Sequence, residues 1–170
     1  VDWDWQVFVN EKEVGRHKGG YDAFQFDITD FLKNGDQQEL VLRVWDPTDE
    51  GPQPRGKQVK KPHGIWYTPV TGIWQTVWME QVPISHIVST RQTPDIDRGV
   101  IRVKAIVENP MPGDLLTVSL FSEGKRIAAS DIHPFSEVDI VVPDQRLWSP
   151  ADPHLYDIQY ALVRKGKVVD

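Results

Sequence analysis

Alternating apolar and polar residues run through most of this chain, and a period of two along the sequence predicts β-strands. In the first half the pattern starts at residues 3–9, whose odd-numbered side chains are apolar, and residues 14–16 can return as a hairpin partner. Three more strands are predicted, at residues 24–28, 40–45 and 73–79. The last two are apolar on both faces, which favours burial of both faces.

Tryptophans recur in these alternating stretches, where aromatic side chains suit a pleated surface. We therefore expect five of them to pack in the core: Trp3, Trp5, Trp45, Trp74 and Trp78. Residues 46–65, in contrast, show no apolar period and contain four prolines beside several basic residues. A loop of this length is uncommon in a small domain, and its prolines argue for some order.

The second half alternates more cleanly, with a turn about every ten residues. Residues 101–107 and 116–120 are the clearest strands, and Glu123-Gly124 and Gly166 mark tight turns. Further strands are predicted near Ala128 and at residues 138–142, 156–162 and 167–169. Short strands separated by regular turns indicate an antiparallel sandwich, and Pro83 marks the boundary between the two halves. Because both ends of the chain fall inside predicted strands, we expect a slice of a longer protein.

The amino-acid composition and net charge exclude several classes of function. The 170 residues include 13 prolines, 12 glycines and 7 tryptophans but no cysteine, which excludes a disulfide framework, thiol catalysis and cysteine-ligated zinc. A net charge of −6 offers no basic surface to nucleic acid or anionic lipid, and no apolar run reaches the ~18 residues of a membrane span. We therefore expect a soluble chain with no nucleic-acid partner and no membrane insertion, in an unknown compartment.

Two polar groups could carry chemistry, but each has a simpler interpretation. Asn10-Glu11 invites comparison with a glycosidase acid, yet at a hairpin tip nothing would desolvate the carboxyl group and raise its pKa. Residues 46–50 offer oxygen ligands without the spacing of a calcium loop, and the five histidines lie far apart. We therefore predict solvated turns at both places, with no metal site and no cofactor.

Aromatic residues at the end of the long loop give a better candidate for binding. A sugar ring lays its C–H face on an aromatic ring while its hydroxyl groups bond to polar side chains. The candidate carbohydrate contacts are Arg55, Gln58, His63, Trp66 and Tyr67. An equally weighted interpretation is that Trp66 plugs one end of the sandwich.

Several runs resemble the non-catalytic N-terminal domains of glycoside hydrolase family 2, the β-galactosidase, β-glucuronidase and β-mannosidase group. VFVN at residues 7–10, GGY at 19–21 and FQFDIT at 24–29 look like the core of that family's sugar-binding jelly roll. GIWYTPVTGIWQ at 64–75 looks like its closing strand, and LWSP at 147–150 resembles the immunoglobulin-like domain that follows.

The resemblance implies an all-β fold of two β-sandwich units, a partial jelly roll at residues 1–82 and an immunoglobulin-like sandwich at residues 83–170. One departure concerns the first hairpin, where the family usually has Asn-Gly and this chain has Asn10-Glu11. We therefore expect that turn to use another geometry.

The function implied by the resemblance is that of an accessory scaffold in a retaining exo-acting β-glycosidase of the β-galactosidase type. The family's catalytic glutamates lie in a barrel beyond this sequence, so no catalytic residue is assigned and this chain alone is expected to be inactive. Residues 46–71 are expected to help shape the substrate pocket for a β-galactoside or related sugar. The alternatives are an independent carbohydrate-binding module and an interaction domain that self-associates through exposed strand edges.

Overall fold

The computed structural model describes residues 2–170, and it confirms the prediction of an all-β chain. Ten strands form three antiparallel sheets, and the described residues contain no α-helix, only a 3-10 turn at Thr29–Phe31. The chain divides into two units, one ending at Trp78 and the other covering Met79–Asp170. Within residues 2–170 no helix is long and apolar enough to cross a membrane.

The first unit contains one three-stranded sheet, in the order β2-β1-β3. Its strands are β1 (Asp4–Val9), β2 (Lys12–Lys18) and β3 (Leu40–Trp45). The predictions of strands at residues 3–9, 14–16 and 40–45 are confirmed, within a residue or two at the ends. Alternation in β1 buries Trp5, Val7 and Val9 on one face, as the sequence predicts.

Aromatic rings form the second layer over this sheet. The Trp5 ring is fully buried and stacks on Phe24 at 3.7 Å between ring centroids, while Phe26 meets it edge-on at 5.8 Å. Gly15 lets this layer approach β2, because a Cβ atom there would lie 2.5 Å from the Phe26 ring. The prediction of a strand at residues 24–28 is wrong, since the alternation there reflects ring packing and the backbone pairs with no strand of the described residues.

Two further predictions for the first unit are wrong. Residues 73–79 form no strand, and β3 is not buried on both faces, since none of its side chains is buried. As a result, Trp45, Trp74 and Trp78 are exposed and Trp3 is only half-buried, so the expectation of five core tryptophans holds for Trp5 alone.

The second unit is a sandwich of a four-stranded sheet, β10-β9-β6-β7, and a three-stranded sheet, β4-β5-β8. Seven strands divided three against four are typical of an immunoglobulin-like sandwich. The strand bounds are β4 His86–Asp95, β5 Val100–Glu108, β6 Asp114–Ser122, β7 Lys125–Ile132, β8 Glu137–Val141, β9 Tyr156–Arg164 and β10 Lys167–Val168.

Alternating residues from both sheets meet in the core of this unit. The buried cluster is Val103, Ala105, Val107, Leu116, Val118, Ile132, Ile140 and Leu162. The strands predicted at residues 101–107 and 116–120 are confirmed with the faces expected. The turn at Glu123-Gly124 joins β6 to β7 with both residues at positive φ, the geometry that suits a two-residue hairpin. Sequence reasoning missed β4, because most of its side chains are exposed and it has no apolar period.

Candidate functional site

The long loop that follows β3 is held closed at its base by one carboxylate. Asp46 Oδ1 accepts a hydrogen bond from the Thr48 backbone N–H at 2.8 Å, and Asp46 Oδ2 accepts one from the Thr71 hydroxyl at 3.1 Å. Asp46 follows the last residue of β3 and Thr71 lies at the far end of the loop, so a single side chain joins the two ends. We call residues 46–71 the Asp46 loop.

A second acidic residue lies at the same base. The backbones of Asp2 and Gly72 pair, with the Asp2 N–H donating to the Gly72 carbonyl at 3.1 Å. Burial, and then the nearby negative charge of Asp46, raise the pKa of the Asp2 carboxyl above its ordinary value. Sequence reasoning missed Asp2 because 44 positions separate it from Asp46, and no local motif links the two.

The first part of the Asp46 loop is tied to itself by polar side chains. The buried Gln53 donates from Nε2 to the Thr48 carbonyl at 3.0 Å, and the Lys60 ammonium lies 2.6 Å from the Glu50 carboxylate. Asp49 Oδ2 accepts the Lys60 backbone N–H at 3.4 Å. The acidic side chains of residues 46–50 are therefore engaged with the loop's own backbone or with a lysine.

The candidate carbohydrate contacts come together in the second part of this loop. Gln58 and Tyr67 form a parallel β-bridge, the Tyr67 N–H donates to the Lys57 carbonyl at 2.7 Å, and the Trp66 N–H donates to the His63 carbonyl at 2.9 Å. Arg55 lies beside them, because its guanidinium carbon is 5.7 Å from the centroid of the Trp66 ring. This distance is within the range of a cation–π contact.

Some of these side chains face solvent while others are engaged within the loop. Tyr67 is 63% exposed, Arg55 is exposed and Trp66 is part-exposed. Gln58 Oε1 accepts the Val70 N–H at 2.6 Å, which leaves its amide nitrogen and a second lone pair of Oε1 for a ligand. His63 Nδ1 lies 2.8 Å from the Lys61 carbonyl and must donate to it, which leaves Nε2 of the neutral ring as an acceptor.

This arrangement can offer an apolar ring face next to hydrogen-bonding groups. A pyranose has the complementary chemistry, with C–H groups on its faces and hydroxyl groups around its rim. Trp66 and Tyr67 would supply ring faces, and the guanidinium of Arg55 would donate to hydroxyl or carboxylate oxygens. The group lies entirely within the Asp46 loop, where the Gln58–Tyr67 bridge holds its two halves together.

The first hairpin has the geometry typical of an Asn-Gly turn in spite of its different sequence. Asn10 and Glu11 both have positive φ, at 49° and 69°, as a type I′ turn requires, so the expectation of another geometry is wrong. The side chain of Asn10 explains its place there, since Nδ2 donates to the Phe31 carbonyl at 3.0 Å and Oδ1 accepts the Glu39 N–H at 3.0 Å. Glu11 is exposed, in agreement with a solvated turn.

Comparison with known proteins defines the class. Residues 85–170, just over half of the chain, match the family model described as glycosyl hydrolases family 2. The chain therefore belongs to glycosyl hydrolase family 2.

Relatives align along the whole chain as well as along short segments. The chain is 26% identical over 176 residues to a β-galactosidase of Thermoanaerobacter pseudethanolicus, which covers 97% of this chain. A β-glucuronidase of Bacteroides fragilis is 47% identical over a segment of 38 residues. Among solved structures, a glycosyl hydrolase family 2 member from Bacteroides cellulosilyticus matches 99% of the chain with a TM-score of 0.78 at 23% identity.

These proteins are much longer than this chain. It covers 23% of the Thermoanaerobacter β-galactosidase and 24% of the Bacteroides cellulosilyticus protein, which is less than a quarter of either length.

Proposed function

We propose that this chain is a non-catalytic scaffold segment of a larger β-glycosidase that hydrolyses O-glycosyl bonds in carbohydrate metabolism. Membership of glycosyl hydrolase family 2 supports the reaction class, and the names of the relatives point to β-galactosides or β-glucuronides. The small share of each relative that the chain covers supports an accessory role. The bond would be split by double displacement between two carboxyl groups about 5 Å apart, contributed by other parts of the protein.

The scaffold would act through the Asp46 loop, which we propose borders the substrate pocket. The observation that carries this proposal is the position of the Arg55 guanidinium, 5.7 Å from the centroid of the Trp66 ring, whose neighbour in sequence is the exposed Tyr67. Gln58 and His63 would add hydrogen-bonding groups at the rim. Because Asp46 clamps both ends of the loop, little conformational entropy would be lost when a sugar binds, which favours affinity.

Activity measurements test the scaffold proposal directly. The purified chain is assayed with aryl β-galactosides and aryl β-glucuronides, and we expect no hydrolysis above the rate without protein. Turnover that co-purifies with the chain through successive columns, and disappears in a mock purification from cells lacking its gene, would overturn the proposal.

A second candidate function is an independent carbohydrate-binding module, which the exposure of Tyr67 beside Trp66 favours. Titration calorimetry with galactosides, glucuronides and plant-wall oligosaccharides would measure binding by the isolated chain. Trp66→Ala should abolish the heat, whereas Trp78→Ala, which removes an equally large and more exposed ring outside the Asp46 loop, should leave it unchanged. If no sugar gives heat with the wild-type chain, the binding-module function is excluded and the scaffold proposal is unaffected.

A further inference from the structure

Positive charge is concentrated in the Asp46 loop, although the chain as a whole carries a net charge of −6. Four basic side chains lie within seven positions, and residues 51–79 contain no aspartate or glutamate. The four are Arg55, Lys57, Lys60 and Lys61. We propose that this basic segment binds an acidic saccharide, an inference that rests on the function proposed above. Carboxylate or sulfate groups of the saccharide would meet the cations while a sugar ring lies on an aromatic side chain.

The acidic side chains at residues 46–50 leave three of these four cations without a carboxylate. The Glu50 carboxylate lies 2.6 Å from the Lys60 ammonium, and the Asp49 carboxylate accepts the Lys60 backbone N–H at 3.4 Å. The exposed cations that form no ion pair with a carboxylate of residues 2–170 are Arg55, Lys57 and Lys61. The loop therefore holds its own acids in other contacts and presents these charges to solvent.

Hydrogen bonds within the loop bring both lysines close to aromatic residues. The Tyr67 N–H donates to the Lys57 carbonyl at 2.7 Å, which makes these two residues neighbours. Lys61 approaches the other ring through His63. The His63 Nδ1 donates to the Lys61 carbonyl at 2.8 Å, and the His63 carbonyl accepts the Trp66 N–H at 2.9 Å. Charge and ring faces are thus combined in one folded segment.

Arg55 is oriented by two contacts that leave part of its guanidinium unused. Nη1 donates to the Asp49 carbonyl at 3.3 Å, and the guanidinium carbon lies 5.7 Å from the centroid of the Trp66 ring. The Nε and Nη2 atoms of Arg55 form no hydrogen bond with residues 2–170. Together these two atoms are the fork that binds both oxygens of a carboxylate in parallel hydrogen bonds.

The balance of donors and acceptors in the segment favours an acidic ligand over a neutral one. Lysine and arginine side chains donate hydrogen bonds and accept none. A hydroxyl group of a neutral sugar donates as well as accepts, so a site built mainly of donors leaves the hydroxyl protons without partners. An ionised carboxylate or sulfate only accepts, and its hydrogen bonds with a cation are about twice as strong as those between neutral groups.

Titration calorimetry with matched pairs of ligands tests this inference. Each acidic oligosaccharide is compared with its own neutral counterpart, an oligouronate with its carboxyl-reduced product and a sulfated galactan fragment with its desulfated product. We expect the acidic member of at least one pair to bind about tenfold more tightly, with an affinity that falls as NaCl is added. The pair that shows this difference identifies carboxylate or sulfate as the group that is bound.

Variants that remove charge locate the site. Lys57→Gln combined with Lys61→Gln should weaken binding of the acidic ligand about fivefold and leave its neutral counterpart unchanged. Arg55→Lys keeps the charge but removes the fork, so it should weaken a carboxylate ligand by a similar factor. The matched control is Lys12→Gln combined with Lys33→Gln, which removes two charges from exposed lysines outside the Asp46 loop and should change nothing.

Two other polyanions separate a saccharide site from a surface that attracts any negative charge. Poly-L-glutamate and an oligothymidylate both supply anionic groups without a pyranose ring, and each should bind more weakly than the acidic saccharide. Trp66→Ala should reduce saccharide binding to the level of polyglutamate and leave polyglutamate binding unchanged, because the ring contact serves the sugar alone.

Three results would overturn the inference. The first is that the acidic ligands give no heat, or bind no more tightly than their neutral counterparts. The second is that the control lysine variant weakens binding as much as the loop variant, with circular dichroism showing that both are folded. The third is that polyglutamate or the oligothymidylate binds as tightly as the saccharide. None of these results bears on the scaffold proposal, which the hydrolysis assay tests separately.

Discussion

Arg164 donates two parallel hydrogen bonds to the buried carboxylate of Asp114. Arg164 Nε lies 2.7 Å from Asp114 Oδ1 and Nη2 lies 2.9 Å from Oδ2, at the point where β9 and β6 pair. Nη2 also donates to the buried Ser85 hydroxyl at 2.7 Å. The pair therefore joins the start of the second unit to the four-stranded sheet of its sandwich.

The Arg164 contact makes the stability of the second unit depend on acidic pH. Hydrogen bonds from Arg164, and then one from the Met111 N–H, lower the pKa of Asp114 from 3.8 to about 2. Because the folded-state pKa lies below the unfolded value, the stabilisation is fully present above about pH 4 and is lost as the pH falls through about 2. Thermal melts between pH 2 and 5 should show this loss.

Asp114→Asn is expected to lower the melting temperature of the second unit by several degrees at pH 7, because it leaves the Arg164 charge without its partner. It should also flatten the pH dependence between pH 2 and 4. Asp157→Asn, at an exposed carboxylate on the same strand as Arg164, should change neither quantity. Equal behaviour of the two variants would contradict the role assigned to the ion pair.

Adjacent leucines in β6 give a direct test of the core of the second unit. Leu116 is fully buried in the cluster between the sheets, while Leu115 points to the other face and is partly exposed. Leu116→Ala should reduce the free energy of unfolding by about 2–5 kcal/mol, because it removes buried methyl groups and leaves a cavity. Leu115→Ala should cost less than about 1 kcal/mol. Urea denaturation measures both, and similar losses would disprove the assigned faces.

The first hairpin stores a small strain that one substitution can relieve. Glu11 has a φ of 69°, which costs a residue with a side chain about 1–2 kcal/mol relative to glycine. Glycine loses more entropy on folding, so Glu11→Gly should stabilise the first unit by about 0.5–1 kcal/mol net. Asn10→Gly should destabilise it, although φ there is also positive, because the bonds to Phe31 and Glu39 are lost. Denaturation midpoints that move together for both variants would contradict this account.

The sandwich of the second unit could be predicted from sequence because apolar side chains alternate along most of its strands. β5 places Val103, Ala105 and Val107 inside and mainly charged residues outside, so periodicity alone gives both the strand and its buried face. The strand β4 was not predicted for the same reason, since an edge strand with exposed side chains has no alternation of apolar and polar residues to detect. Alternation of apolar and polar side chains indicates that one face is buried, but it does not show which strand the backbone pairs with.

That limit explains the errors in the first unit. Residues 73–79 are apolar on both faces, yet a strand also needs a neighbour to accept its backbone hydrogen bonds, and the sequence could not show that none of the described residues provides one. The candidate site was partly predictable. The grouping of Arg55 with Trp66 came from proximity in sequence, whereas the clamp between Asp46 and Thr71 spans 25 positions and required the fold.

The Asp46 clamp predicts how readily the loop opens. Arg55, Lys57 and Lys60 are potential trypsin sites within the loop, and cleavage requires local unfolding. Thr71→Val removes the hydrogen bond to Asp46 while keeping the charge and shape of the site, so cleavage there should become about 2–10 times faster. Thr68→Val changes an exposed threonine in the same segment and should leave the rate unchanged. Because a loop that opens freely would already be cut at its maximal rate, equal rates for wild type and Thr71→Val would show that the bond between Asp46 and Thr71 does not hold the loop closed.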